Sequence, residues 1–215
     1  KFLRELQRNN DRDWFQANKA RYESAVREPA LEFITAMQKP MQALTECFRV
    51  VPKKTGGSLM RVYRDTRFSK DKTPYKTNVG IHFRHQACGD VHAPGFYVHI
   101  EPKAVFLGAG IWHPESQTLS AIRERIGDDP AEWKKVRDQR TFKKHFALAG
   151  DSLKRPPRGF DADHVMIEDL KRKDFIGVRN LPESVIHEQD FTRQVMTSFK
   201  AARPLVQYLC ETLQL

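Results

Sequence analysis

The order of apolar and polar residues changes character along the chain. Over residues 2–50, apolar side chains recur every three or four positions, which is the spacing of a buried helical stripe. Asn10 or Asp11 is expected to cap one of these helices. Pro29 is expected to restart a helix, and Pro40 is expected to kink it. The first part of the chain is therefore predicted to be helical.

A period of two replaces the helical spacing after a loop at 52–57. It predicts strands at residues 59–64, 79–85, 96–101 and 104–110. The link at 102–103 is short enough to close a hairpin. Because no long helix separates these strands, they are expected to form an antiparallel meander and not a parallel, doubly wound sheet. Their polar positions predict a sheet with one face covered by helices.

Helical spacing returns in the last part of the chain, with one late strand predicted at 174–179. The whole pattern predicts an α+β fold, in which an antiparallel meander sheet of four or five strands packs with N- and C-terminal helices. We expect a single domain over residues 1–215. Its helical part, its part with the sheet and a cationic loop, and its helical part with the late strand are expected at 1–50, 58–112 and 113–215.

Composition is that of a globular protein. Hydrophobic residues make up 40% of the 215 residues and charged residues 30%, which differs from both membrane and disordered chains. No apolar run is long enough to span a bilayer, and no signal peptide is visible at the start. The three cysteines are odd in number and far apart, which argues against a disulfide framework and favours a reducing, cytoplasmic compartment.

The formal net charge of +10 attracts polyanions through phosphate contacts and counterion release. The charge is spread over much of the chain, however, and part of it lies on solvated helix faces such as residues 134–135 and 143–144. Nucleic acid is therefore an alternative partner that charge alone does not establish.

The densest group of reactive side chains lies in residues 61–78. Six cations stand among threonine, serine and tyrosine hydroxyls, namely Arg61, Arg64, Arg67, Lys70, Lys72 and Lys76. Guanidinium groups combined with hydroxyl donors suit a phosphate or a carboxylate. Asp65 and Asp71 can orient the arginines, and Tyr75 can direct a hydroxyl at the ligand. The alternative is a salt-bridged loop that fastens itself to the sheet.

The same segment contains a long signature, Arg61-x-x-Arg64-Asp65-x-Arg67-Phe68-x-x-Asp71-Lys72-x-x-Tyr75. At every fixed position it resembles the signature of a bacterial family known as domain of unknown function 2461. The start of the chain, from Phe2 to Phe15, is similar to that family too, as are Gly108-x-Gly110-Ile111-Trp112-x-Pro114 and Gly159-Phe160-Asp161. The resemblance covers essentially the whole chain. It implies an intracellular bacterial protein of one domain, without an established activity, and it favours a site at residues 61–75.

A polar sheet face beside the cationic loop is the predicted place for the ligand. It adds five residues to the ligand-binding set, namely His82, Arg84, Tyr97, His99 and Glu101. Two imidazoles and a carboxylate are also able to hold a divalent metal. Because polar residues on any half-exposed sheet give the same pattern, no metal is assigned, and no cofactor is identified.

Two weaker patterns have the residue types of catalytic sites. Asp90 with Glu101 and Lys103 loosely resembles the Asp…Glu-x-Lys arrangement of metal-dependent nucleases, but the intervening proline is expected to end the strand. Cys88 beside His92 has the residue types of a nucleophile and its base, but no local signature of a catalytic triad accompanies them.

Three hypotheses about function follow. The first is a domain that binds an anionic small molecule or a nucleic acid through residues 61–75. The second is an enzyme acting on a phosphorylated or carboxylated substrate, in which His82, His99 or Glu101 moves protons. The third is a structural protein in which the signature is an ion-pair network. No membrane partner is predicted, and the sequence gives no oligomeric state.

Overall fold

The computed structural model describes residues 1–87 and 93–215. Cys88, Asp90 and His92 lie outside the described residues. The nucleophile and nuclease patterns that depend on them therefore stay predictions.

The N-terminal part is helical, as predicted. Its elements are α1 (Phe2–Arg8), α2 (Arg12–Ala17), α3 (Lys19–Tyr22), a π-helical turn (Glu23–Arg27) and α4 (Glu28–Leu44). Asp11 caps α2, since its side chain accepts a hydrogen bond from Trp14 N at 2.8 Å. Pro29 is the second residue of α4, but the helical backbone continues into α4 from the π-helical turn through Arg27 and Glu28, so Pro29 does not restart the helix as expected. Pro40 lies inside α4 and does not end it.

Five strands form one antiparallel sheet in the order β1-β2-β3-β5-β4, which confirms the α+β fold. Their bounds are β1 (Val79–Arg84), β2 (Gly95–Glu101), β3 (Ala104–Ile111), β4 (Ala147–Ala149) and β5 (Phe175–Leu181). The first three strands are consecutive neighbours, as in the predicted meander, and β5 is the predicted late strand. The short β4 lies where a helix was predicted, and Ala147 pairs with Val178 of β5.

The segment at 59–64, predicted as a strand, forms only isolated bridges, among them Tyr63 opposite Tyr75. Arg64 N donates a hydrogen bond to Pro74 O at 2.9 Å. Because Pro74 has no N–H, it cannot return a bond as a regular ladder requires. The cationic segment therefore folds back on itself as an irregular antiparallel ribbon.

The half-exposed sheet face was predicted correctly for only one strand. In β1 every residue except Arg84 is buried, and His82 is 9% exposed. In β2 the expected alternation occurs: Phe96 and Val98 are buried, whereas Tyr97 is only half-buried. Leu59 is bridged to Ile81 of β1, which covers part of the outer edge of that strand.

The remaining helices follow the sheet. They are α5 (Ser116–Asp128), α6 (Pro130–Arg137), α7 (Arg140–His145), α8 (Ile167–Leu170), a 3₁₀ turn (Glu183–His187) and α9 (Phe191–Thr212). Asp129 caps α6 by accepting from Glu132 N at 2.8 Å, and Pro130 begins that helix. Pro204 lies inside α9, which continues through it. No helix in the described ranges is long and apolar enough to cross a membrane.

The chain divides into two compact units. The first contains Lys1–Phe83, Tyr97–Leu107 and Asn180–Gln194, and the second contains Arg84–Phe96, Gly108–Arg179 and Val195–Leu215. In the core of the first, Phe15 stacks on Tyr75 with ring centroids 3.9 Å apart. In the core of the second, Trp133 meets Phe175 edge-on at 5.7 Å. The single domain over residues 1–215 stays a prediction.

Gly110 in β3 allows the close approach of a neighbouring strand in the second unit. Its φ is +126°, and a Cβ atom built on it would lie 2.1 Å from Phe175 O. Both features exclude other residues, because L-residues rarely adopt this conformation and a backbone oxygen cannot easily move away.

We expect Gly110→Ala to destabilise the protein more than Gly159→Ala, measured as the free energy of unfolding in urea. Gly159 also has a positive φ, +92°, but its Cβ would meet nothing within 4 Å. The control should therefore cost about 1–2 kcal/mol for backbone strain alone. Gly110→Ala should cost about 1–3 kcal/mol more, because the added methyl also overpacks the strand interface. Equal losses would contradict the close approach.

Candidate functional site

Part of the cationic signature is neutralised inside the loop that carries it. Asp65 accepts two hydrogen bonds from the Arg67 side chain, Nε to Oδ1 at 3.0 Å and Nη2 to Oδ2 at 2.8 Å. The Arg67 backbone N–H also donates to Oδ1, at 3.2 Å. Lys72 Nζ donates to Thr66 O at 2.8 Å. These contacts hold the shape of the loop, and the Arg67 side chain remains 77% exposed.

Arg64 is fixed by a second set of contacts. Its Nη1 donates to Asp71 Oδ2 and to Thr73 Oγ1, while Asp71 Oδ1 accepts from Thr73 N at 2.9 Å. The Arg64 side chain is only 28% exposed, whereas that of Asp71 is 56% exposed. The Arg64 guanidinium is therefore partly buried, and the more exposed Asp71 side chain holds it in place.

Both acids are more acidic than usual because of these arginines. The hydrogen bond from Arg67 lowers the pKa of Asp65 from 3.8 to about 2. The hydrogen bond from Arg64, with help from Thr73, lowers the pKa of Asp71 to about 2. Both carboxylates therefore stay ionised at neutral pH and balance one arginine each.

Tyr75, predicted to direct a hydroxyl at the ligand, has its ring in the core instead. The residue is 2% exposed and its ring stacks on Phe15. Burial raises the pKa of the phenol. Asn10 pairs with the Tyr75 backbone in both directions, donating from Nδ2 to O at 2.9 Å and accepting at Oδ1 from N at 3.1 Å. Asn10, one of two predicted helix caps, thus joins the first helices to the ribbon.

A cleft of about 430 Å³ opens beside this junction, and we refer to it as the Lys76 cleft. Each residue that lines it has a side chain with a polar group: Gln7, Asn10, Arg64, Asp71, Thr73, Tyr75, Lys76, Thr77 and Asn78. Amide and hydroxyl groups stand around two cations, Arg64 and Lys76. Such a set of donors is suited to an anion.

Lys76 differs from the paired cations of the loop. It is half-buried, and its ammonium makes no hydrogen bond or ion pair with any residue in the described ranges. Burial, and the nearby positive charge of Arg61, lower its pKa. The exposed side chain of Arg61 likewise makes neither kind of contact with another described residue. These two charges are therefore available to a ligand.

Behind the cleft, three side chains of β2 form a hydrogen-bonded row. The Tyr97 hydroxyl lies 3.1 Å from His99 Nδ1, and His99 Nε2 lies 3.3 Å from Glu101 Oε2. The His99 ring also stacks on Phe106, with centroids 4.4 Å apart. Gly80 permits the Tyr97 position, because a Cβ there would lie 2.7 Å from the hydroxyl.

Burial favours the uncharged forms of Tyr97 and His99 in this row. It lowers the pKa of His99, against the opposing effect of Glu101, and raises the pKa of Tyr97 to about 12. Both imidazole nitrogens have partners inside the protein. The row therefore has the properties of a support for its neighbours.

The row is connected to the lining of the Lys76 cleft. Thr77 Oγ1 donates to Glu101 Oε1 at 2.7 Å, and Gln7 Nε2 donates to the same oxygen at 3.3 Å. Asn78 Nδ2 lies 3.5 Å from His99 Nδ1. Three lining side chains are thus oriented by the row.

The other predicted site residues lie elsewhere. His82 is buried in β1, where its backbone N–H donates to Ser58 O at 2.8 Å, and its ring is 6.3 Å from that of Tyr97. Arg84 is assigned to the second unit. Neither is among the described residues that line the Lys76 cleft. In the described ranges, no group of three His, Cys, Asp or Glu residues is arranged to hold a metal ion.

Several lining residues were missed as ligands. Lys76, Thr77 and Asn78 lie in the segment at 61–78, but they follow the last fixed position of the signature. Asn10 lies in the other stretch that resembles the family, and joining the two stretches would have identified it. Gln7 gave no signal, because an exposed helical glutamine is ordinary.

One comparison with known proteins gives a match. A family model described as a conserved hypothetical protein, DUF2461, matches residues 1–208. No curated protein and no solved structure matches the chain. The resemblance noted in the sequence is confirmed, and it extends over both compact units.

The two ion pairs of the loop should titrate independently. We expect Arg64→Gln to return the pKa of Asp71 from about 2 towards its usual value and leave Asp65 unchanged. Arg67→Gln should do the reverse, and each variant controls for the other. The measurement is an NMR titration of the side-chain carboxyl carbons.

The sign of the effect on stability follows from the direction of the shifts. Because each pKa lies lower in the folded chain than its ordinary 3.8, each pair stabilises the loop above about pH 4. That contribution is lost as the pH falls from about 4 towards 2. Two carboxyl pKa values near 4 in the unaltered protein would contradict the pairs.

Proposed function

Because the chain belongs to the DUF2461 family of conserved hypothetical proteins, whose description names no activity, we propose from its own residues that it binds a small anionic ligand. The ligand carries a phosphate or carboxylate group and occupies the Lys76 cleft. Lys76 supplies positive charge, Arg64, whose charge Asp71 balances, supplies N–H donors, and the amides of Asn10 and Asn78 and the hydroxyl of Thr77 supply oriented dipoles.

The observation that carries this proposal is the unpaired ammonium of Lys76. Taking a charge out of water costs free energy unless a partner replaces the lost hydration. No described side chain pairs with this ammonium, and its lowered pKa reflects that cost. An anion bound in the cleft would offset this cost, because it would neutralise the charge of the Lys76 ammonium.

The charge balance of the ribbon supports the same conclusion. Of the six cations between positions 61 and 76, Arg64 and Arg67 are paired with carboxylates. Arg61, Lys70, Lys72 and Lys76 have no acid within ion-pair distance in the described part of the chain, which leaves four positive charges. Concentrated charge of one sign beside a cleft attracts oppositely charged ligands.

The two alternative hypotheses explain less. An ion-pair network accounts for Arg64 and Arg67 but leaves Lys76 unexplained. The enzyme hypothesis assigned proton transfer to His82, His99 or Glu101, yet none of the three is among the described residues that line the cleft, and His99 and Glu101 are bonded to its lining residues. Their contacts favour a positioning role, which a binding protein also needs.

We expect Lys76→Gln to weaken binding of inorganic phosphate, or of citrate as a carboxylate probe, by about tenfold or more, because a hydrogen bond to a charged group is lost. Isothermal titration calorimetry would measure it. Lys39→Gln removes the same charge from an exposed position on α4 and should leave the affinity nearly unchanged. Equal losses in both variants would overturn the proposal.

The stability of the same variant separates binding from a structural role. Since Lys76→Gln removes a half-buried charge without a protein partner, its thermal unfolding temperature should stay the same or rise. Marked destabilisation would favour the structural network instead. Because the pKa of Lys76 is lowered, ligand affinity should begin to fall at a lower pH than an ordinary lysine would give.

A further inference from the structure

The cationic ribbon also carries two aromatic side chains that the fold leaves in solvent. Phe68 is 94% exposed and Tyr63 is 47% exposed. Burying a phenylalanine side chain is worth roughly 1.5–3 kcal/mol, so full exposure on a structured segment is a feature to explain. Exposed apolar groups surrounded by polar ones often mark interaction surfaces.

Tyr63 stands at a second cleft of the first unit. This cleft has a volume of about 350 Å³ and is lined by Arg12, Gln16, Tyr63, Arg64, Thr66, Pro74 and Tyr75. Its volume lies within the range of about 300–1,000 Å³ that is typical of small-ligand sites. Tyr63 packs against the buried ring of Tyr75, with centroids 5.3 Å apart, so the half-exposed ring has a rigid support.

Phe68 is flanked in sequence by the cations Arg67 and Lys70, and the first of them contacts its ring. The Arg67 guanidinium lies 5.7 Å from the centre of its ring. Lys70 and Arg61, both exposed, have no acid within ion-pair distance among the described residues. Aromatic rings interleaved with positive charges form the usual surface for single-stranded nucleic acid, since rings stack on bases while cations follow the phosphates.

We propose that this face of the first unit, formed by residues 61–70 with Arg12 and Gln16, binds single-stranded nucleic acid. Bases stack on Phe68 and Tyr63, one of them at the mouth of the second cleft, where Gln16 and Thr66 offer hydrogen bonds. Phosphates contact the exposed cations.

The chemistry of the face selects this partner over two others. A duplex keeps its bases stacked inside, so it would contact the cations but not the rings. A membrane surface is bound through a broad apolar helical face, whereas here two separate rings stand on an irregular segment, and one of them, Tyr63, lines a cleft with polar residues. The face uses residues other than Lys76. The nucleic-acid proposal therefore goes beyond the small-ligand proposal and is tested separately from it.

The experiment is fluorescence anisotropy with a labelled oligothymidylate of about 16 nucleotides, the upper site size of one nucleic-acid-binding fold. A duplex of equal length and vesicles containing anionic phospholipid are tested beside it. We expect the single strand to bind more tightly than the duplex. Phe68→Ala should weaken single-strand binding about 5- to 100-fold, the range for loss of one stacked base.

Two further variants make the result specific. Phe68→Leu keeps an apolar side chain but not an aromatic ring, so it should weaken binding nearly as much as Phe68→Ala. Val165→Ala, which truncates a residue 77% exposed in the second unit, should have no effect. Because Phe68 is almost wholly exposed, neither of its variants should change thermal unfolding.

Three results would overturn the proposal. The first is unchanged affinity for the single strand in Phe68→Ala, which would mean that phosphate contacts alone hold it. The second is tighter binding of the duplex. The third is Phe68-dependent binding to the vesicles without binding to the oligonucleotide, which would make the face a membrane contact. Loss of phosphate binding in Lys76→Gln bears on the cleft and leaves this test unaffected.

Discussion

The stacking of Tyr75 on Phe15 is the contact on which the form of the cationic segment depends. A face-to-face aromatic pair adds about 0.5–1.5 kcal/mol to the burial of the two rings, and here it is reinforced by the paired hydrogen bonds of Asn10. Tyr75 lines both clefts. Without this contact, repulsion between the like charges of the irregular ribbon would favour its unfolding.

A second principle is the division of charge within the ribbon. Two carboxylates neutralise the arginines that shape it, and they leave other cations without an acid in the described part of the chain. Pairing fixes geometry, because a bidentate contact such as Arg67 with Asp65 holds two side chains in one orientation. Absence of pairing leaves the charge of Lys76 without a partner among the described residues, which is the basis of the proposal that it binds an anion. A uniform ion-pair network would have shaped the same loop without leaving any charge to a ligand.

The periodicity of the chain predicted the architecture because the residues that face the core recur with the period of the helix or strand that contains them. The helices, the meander of β1 to β3 and the late strand β5 were all readable in this way. The segment at 59–64 alternates like a strand, but the proline at position 74 and the loop ion pairs prevent a regular ladder. The enclosed face of β1 depends on what covers it, which period-two alternation cannot show.

The sequence predicted the segment that contains the candidate site, but not which of its residues line a cleft. Charge density and the signature located residues 61–78, but which cations are neutralised depends on distances between side chains. Arg64 and Arg67 look alike in sequence, yet Arg64 lines both clefts of the first unit, whereas Arg67 is not among their described lining residues. Lys76 lies outside the signature, and its half-burial cannot be read from the sequence. His99 and Glu101 were candidate acid–base groups, and their contacts with lining residues favour a positioning role.

The hydrogen bonds between Asn10 and Tyr75 join positions 65 residues apart, and this separation has a consequence for the biogenesis of the site. During synthesis the N-terminal helices leave the ribosome well before their partner ribbon exists, and closing so long a loop is an entropically costly, slow event. The clefts therefore cannot be complete until both stretches have been synthesised. It also follows that the two stretches depend on each other: a shortened N-terminus would remove part of the lining of both clefts while leaving every arginine of the signature intact.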